Sequence, residues 1–175
     1  MNDTIVALAT PIGRSGIGVI RLSGDNSLNL ARRLVLDVEF APKPRFAHLK
    51  KIFDLESGEI LDEVIITYFQ SPHSFTGEDV IEIAGHGSPI VLRQIIDFCL
   101  RLDARMAEAG EFSLRALANG RMNLSQAEAI RDLIDAHSIA SARQSIRQLR
   151  GELSNQLQPL KDELLDVIVV LESSL

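Results

Sequence analysis

The texture of the chain changes near residue 120. Before that point, short runs rich in β-branched residues are interrupted by Gly, Pro and Ser; after it there is a single Gly, Gly151, and no Pro before Pro159. Gly and Pro sit well in turns and poorly inside helices. The first part is therefore constrained to an α/β or α+β layout and the second to helices, with domains expected at residues 1–120 and 121–175. At 175 residues, 46% of them hydrophobic, the chain is long enough for one domain with its own core plus an appendage.

Segment by segment, Thr4 to Ala9 and Gly18 to Leu22 read as two adjacent strands joined by a Gly-rich loop. Ser27 to Val35 has helical spacing, and Phe40 to Arg45, with Pro42 and Pro44, reads as a linking loop. Strands are expected at His48 to Asp54, Glu63 to Phe69 and Asp79 to Ala84. Ser88-Pro89 then opens a helix to about Leu102. Arg105 to Glu108 reads as a last strand, and Phe112 to Asn119 as a short helix stopped by Gly120. Ser125 and Glu128 stand at capping-box spacing for the next helix. After His137, an apolar stripe runs from Ile146 through Leu153, Leu157 and Leu164 to Leu171, as one long helix or two broken near Gly151. The stripe is much longer than the preceding helix, so it is expected to need another subunit, or sequence beyond residue 175, to cover it.

Charge and cysteine usage narrow the function classes. Lys and Arg total 18 against 24 Asp and Glu, a net of −6, which excludes bulk attraction to nucleic acid but not a local basic patch. The acidity is spread: residues 1–120 hold 12 basic and 16 acidic side chains, and residues 121–175 hold 6 and 8. Within the second part Arg121, Arg131, Arg143, Arg147 and Arg150 outnumber Glu128, Asp132 and Asp135, a locally basic stretch where RNA or a partner could dock. The single Cys99 cannot form an internal disulfide, and its apolar neighbours make it a buried thiol of a reducing compartment. No run reaches the ~18 apolar residues of a spanning helix, and Asp3 argues against a signal peptide. A cytoplasmic protein is expected, without a membrane role.

Two charges interrupt apolar strands. Glu82 shares a strand face with Val80 and Ala84, and Arg21 stands within GVIRLSG. A carboxylate so placed must be solvated, paired or used on a ligand, because an unpaired buried charge costs several kcal/mol or shifts its pKa. Arg suits forked recognition of carboxylates and oxygen-bearing rings. The two are either a structural ion pair or the brackets of one polar ligand. The loop from Gly13 to Gly18 spells G-x-x-G-x-G and leads into a strand, unlike a dinucleotide fingerprint, and no Gly is followed by Lys, so a phosphate loop is absent. His86, between Gly85 and Gly87, is either a ligand or a turn-fixing residue. The four histidines are scattered, and no metal site is expected.

Three long blocks then carry a resemblance: DTIVALATPIGRSGIGVIRLSG, SFTGEDVIEIAGHGSPIVL and AGEFSLRALANGRMNLSQAEAIRDLIDAHS. In this order they resemble the N-terminal and early helical regions of the MnmE (TrmE) family of tRNA modification GTPases. The resemblance implies an α+β N-terminal domain like the tetrahydrofolate-binding domain of aminomethyltransferases, followed by a partial all-α helical domain. It implies homodimerisation through the N-terminal domain and binding of 5-formyltetrahydrofolate or a related one-carbon tetrahydrofolate. The family's folate-contacting Arg falls on Arg21, its Glu on Glu82, and the basic residue after Leu117-Ala118-Asn119 on Arg121, where the family usually has Lys. By the same resemblance, GTP, magnesium and potassium belong to a GTPase domain outside these residues. No catalytic residue is expected in this chain. The family acts with the flavoprotein MnmG on carbon 5 of the wobble uridine of tRNA. The alternative is a non-catalytic dimerisation or adaptor module without folate binding.

Overall fold

A computed structural model describes residues 3–173, without the side chains of residues 153–157 and 173. It divides into two compact units, one ending at Arg121 and the other beginning at Met122.

The first unit is a mixed sheet with helices. Its elements are β1 (Thr4–Leu8), β2 (Ser15–Ser23), α1 (Ser27–Leu34), β3 (Ala47–Phe53), β4 (Ile60–Phe69), β5 (Val80–Gly87), α2 (Pro89–Arg101), β6 (Ala104–Met106) and α3 (Glu111–Ala118). The strand order is β3-β4-β5-β2-β1-β6, antiparallel throughout except for the parallel pair β1–β6. Strand side chains alternate between faces. One set, including Val6, Ile20, Leu22, Ile66, Ile81 and Ile83, is buried with Leu30 and Leu34 of α1 and Leu92, Ile95, Phe98 and Cys99 of α2. The alternate set includes Val19, Arg21, Thr67, Glu82 and Ala84, all half-buried. Period-two alternation in the sequence thus becomes a covered apolar face and a second face able to carry charge.

The sequence places most of these elements correctly, with informative differences. Gly85-His86-Gly87 is the end of β5, not a turn. Asp62 draws it into the strand by accepting from the His86 backbone N at 2.9 Å. Gly87 lies opposite Ser15, and a Cβ there would collide with the Ser15 hydroxyl and carbonyl oxygens. The close approach of two backbones requires glycine at this position. Ser88 precedes α2, with Pro89 at its first position, but its side chain makes no capping hydrogen bond.

The second unit contains α4 (Leu124–Ile134), α5 (Ile139–Leu149) and α6 (Glu152–Ser173). The cap of α4 is Asn123, not Ser125: Asn123 Oδ1 accepts from Gln126 N at 2.9 Å, and Gln126 Oε1 accepts from Asn123 N at 3.0 Å. Asn is as good a cap as Ser, and Gln at the third helical position completes the reciprocal box. α4 and α5 pack as a hairpin tied by Gln126 Nε2 donating to Leu149 O at 2.8 Å. Gly151, at φ 76°, ends α5 before α6 begins, so the long apolar stripe is two helices. Leu160, Leu164, Val167 and Ile168 of α6 are exposed; the side chains of Leu153 and Leu157 lie outside the described residues.

Candidate functional site

Arg21 and Glu82 are directly opposite in the β2–β5 register, with Thr67 of β4 beyond Glu82 and Ala7 of β1 beyond Arg21. Arg21 Nε donates to Glu82 Oε1 at 2.9 Å and Nη2 donates to the same oxygen at 2.6 Å. Both donors use one carboxylate oxygen. Glu82 Oε2 accepts no hydrogen bond among the described residues. The side chains are 30% and 28% exposed, so the pair is open to a ligand from the half-buried face. Two rings approach the Arg21 guanidinium, Phe75 at 5.6 Å and Phe112 at 5.8 Å, within the distance at which an aromatic quadrupole attracts a cation. The site therefore offers an uncommitted carboxylate oxygen, a fixed guanidinium and aromatic surface.

A buried charge network fixes the segments that carry these rings. Phe75 lies in the loop between β4 and β5, and Phe112 in the first turn of α3. In that loop Thr76 hydrogen-bonds Ser23 of β2 at 2.6 Å, and Ser23 Oγ donates to Glu78 Oε2 at 2.8 Å. Arg115, 1% exposed, joins three segments. Its Nε donates to Glu111 at 3.2 Å, its Nη1 to the Asp3 carbonyl at 2.8 Å and to Glu78 at 3.2 Å, and its Nη2 to the Asp3 carboxylate at 2.7 Å and Glu111 at 3.0 Å. All five guanidinium N–H groups are thus used. Arg105 bonds Glu111 through two nitrogens, the Nη1 bond being 2.8 Å. That hydrogen bond, against the opposing effect of burial, takes the Glu111 carboxyl down to about 2. The Asp3 carboxyl is also lowered, by Arg105 first and then by Arg115. Burial opposes the Arg115 charge, and the bonds to Glu111 and Glu78 override it, leaving its pKa raised.

Arg121 reaches the same loop. Its Nε donates to Ser74 O at 3.3 Å, and its stem runs so close to Gly77 that a Cβ there would lie 3.1 Å from Arg121 Cγ. Of the three residues singled out in the sequence, Arg21 and Glu82 are in contact, and Arg121 lies against the loop that brings Phe75 to Arg21. His86 is held elsewhere, with Nδ1 2.6 Å from Asp62 Oδ1 and its side chain 75% exposed. Burial pushes the Cys99 thiol up to about 12, an inert core group. Among the described residues no cluster of His, Cys, Asp or Glu has the make-up of a metal site, and no helix is long and apolar enough to cross a membrane. The residues missed in sequence are Phe75, Phe112 and the Arg115 network. The one signal for the network is the spacing of Glu111 and Arg115, four apart on a short helix.

Comparison with known proteins adds independent information. Residues 4–121 match a family model described as the N-terminus of the GTP-binding protein TrmE, and residues 124–175 match the MnmE helical domain. The tRNA modification GTPase MnmE of Aromatoleum aromaticum is 49% identical over 100% of the chain and 38% of its own length. The protein of the same name from Dechloromonas aromatica is 48% identical over 99% of the chain and 38% of its length. That from Koribacter versatilis is 45% identical over 100% of the chain and 39% of its length. The chain thus spans less than two-fifths of the curated relatives it matches.

Proposed function

The chain belongs to the MnmE family of tRNA modification GTPases, and from that premise we propose that residues 1–120 bind a one-carbon tetrahydrofolate at Arg21 and Glu82 and dimerise. In the same reading residues 121–175 begin a helical domain. The observation that supports folate binding is the half-open Arg21–Glu82 pair, with Glu82 Oε2 uncommitted. A pterin presents adjacent N–H donors that a carboxylate accepts in pairs. Glu82 would take those donors and Arg21 would hold Glu82 in place while facing the ring's oxygen. Phe75 and Phe112 limit how far the guanidinium can swing. Arg121, on the neighbouring loop, supplies a cation for an anionic part of the ligand. Bound there, the folate supplies the one-carbon unit; the chain's own residues orient it.

In the whole protein this unit serves a GTPase that modifies carbon 5 of the wobble uridine of tRNA in the cytoplasm, together with the flavoprotein MnmG. GTP, magnesium and potassium belong to a domain outside these residues, so this chain binds and orients and does not hydrolyse GTP.

A second reading, an adaptor module in which Arg21 and Glu82 only pair with each other, is favoured by the closed 2.6 Å contact. A ligand that binds only the native state raises its melting temperature. The folate reading expects 5-formyltetrahydrofolate to raise the melting temperature of wild type and not of Arg21→Ala or Glu82→Ala. The adaptor reading expects no ligand effect, and a large coupling between the two substitutions in a double-mutant cycle on stability.

A further inference from the structure

Residues 40–53, FAPKPRFAHLKKIF, carry Lys43, Arg45, Lys50 and Lys51 and no acid, in a chain whose net charge is −6. The segment leads into and forms β3, the edge strand of the sheet. Lys50 is neutralised by Asp37 at 3.0 Å. Lys43, Arg45 and Lys51 are exposed, and none forms an ion pair among the described residues. Glu63 stands opposite Lys51 in register without bonding to it. Arg45 is set in place by its backbone N donating to Tyr68 O at 2.7 Å and its Nη2 donating to His73 O at 3.1 Å; carbonyl partners leave its charge uncompensated. Among these cations stands Phe46, 51% exposed, with Lys43 Nζ 3.9 Å from its ring centroid.

An edge strand guarded only against pairing with another sheet needs charge and no ring. A half-exposed aromatic among unpaired cations suits an unpaired nucleobase stacked on the ring, with its flanking phosphates on Lys and Arg. We propose that Lys43, Arg45, Phe46 and Lys51 form a contact for a single-stranded RNA segment. The proposal rests on the tRNA reading above for the source of the RNA, and not on the folate assignment.

The test is fluorescence anisotropy of the 175-residue chain with a labelled single-stranded oligoribonucleotide and with a duplex of equal length, across a salt series. With three phosphate contacts at about 0.7 of a unit each, the Lys43→Gln, Arg45→Gln, Lys51→Gln triple variant should flatten the log–log salt dependence by about 2. Phe46→Ala should weaken single-strand binding by roughly 5- to 150-fold and leave duplex binding unchanged. Both variants should keep the wild-type melting temperature and its shift with 5-formyltetrahydrofolate, which separates failure here from failure of the folate site. The proposal is overturned by no wild-type binding at about 50 mM salt, by an unchanged slope in the triple variant, or by equal loss on duplex and single strand. It is also overturned if the variants reduce self-association in sedimentation while RNA binding persists, because the edge would then be a contact between copies of the chain.

Discussion

At the scale of single residues, the site depends on charges that burial would penalise if they stood alone. Arg115 is tolerated at 1% exposure because Glu111, Glu78 and Asp3 use every one of its donors. Glu78 and Asp3 remain when Glu111 is changed, but buried donors of Arg115 lose their charged acceptor, so Glu111→Gln should destabilise the unit by about 2 kcal/mol at neutral pH, measured by urea denaturation. The same carboxylate links stability to acid. Its folded pKa, about 2, lies below the ordinary Glu value of about 4.3, so the unfolded state takes up its proton first. The contribution is fully present above pH ~4.3 and is lost as pH falls toward about 2. Denaturation across that window should show a steeper fall in wild type than in Glu111→Gln; parallel curves would contradict the network. Arg21 and Glu82 were legible in the sequence because each breaks an apolar strand. Arg115 was not, because an Arg in EFSLRALA reads as the polar face of a short helix, and only the fold turns that face inward.

At the scale of elements, periodicity located the strands and helices, while side-chain chemistry decided where they begin and end. Ser125 and Glu128 have capping-box spacing, yet Asn123 and Gln126 hold the cap, because the helix starts two residues earlier than that box requires. Asn123→Ala should therefore cost about 1 kcal/mol of stability in the second unit, read by circular dichroism on thermal melting. β5 runs on through His86 to Gly87 because Asp62 takes the His86 amide and Gly87 admits the Ser15 backbone. Neither partner is near in sequence, so the segment resembled a turn. Gly87→Ala should open the β2–β5 seam and destabilise by about 1–3 kcal/mol, with the loss seen as faster amide exchange in β2 and β5. No change in exchange would show that the seam tolerates a side chain there.

At the scale of the whole molecule, two units of different character occupy one acidic chain, and the change of sequence texture near residue 120 falls where one unit ends and the other begins. The overall charge of −6 concealed local structure: a buried ion network beside the candidate site and, over residues 40–53, a basic segment with no acid of its own. The apolar stripe of the second unit was legible as one long helix or two, and Gly151 divides it into α5 and α6. The ligand class was not legible from charge placement alone, since a structural ion pair and a ligand bracket share the same two residues. The folate proposal rests on the second carboxylate oxygen of Glu82, which accepts no hydrogen bond among the described residues. The most direct measurement is isothermal titration of 5-formyltetrahydrofolate into wild type and Glu82→Gln, which keeps the side chain's shape and removes its charge. The account predicts saturable heat from wild type and affinity at least about tenfold weaker in the variant, as expected for losing hydrogen bonds to a charged acceptor. No heat from wild type, or equal affinity in the two proteins, would contradict it.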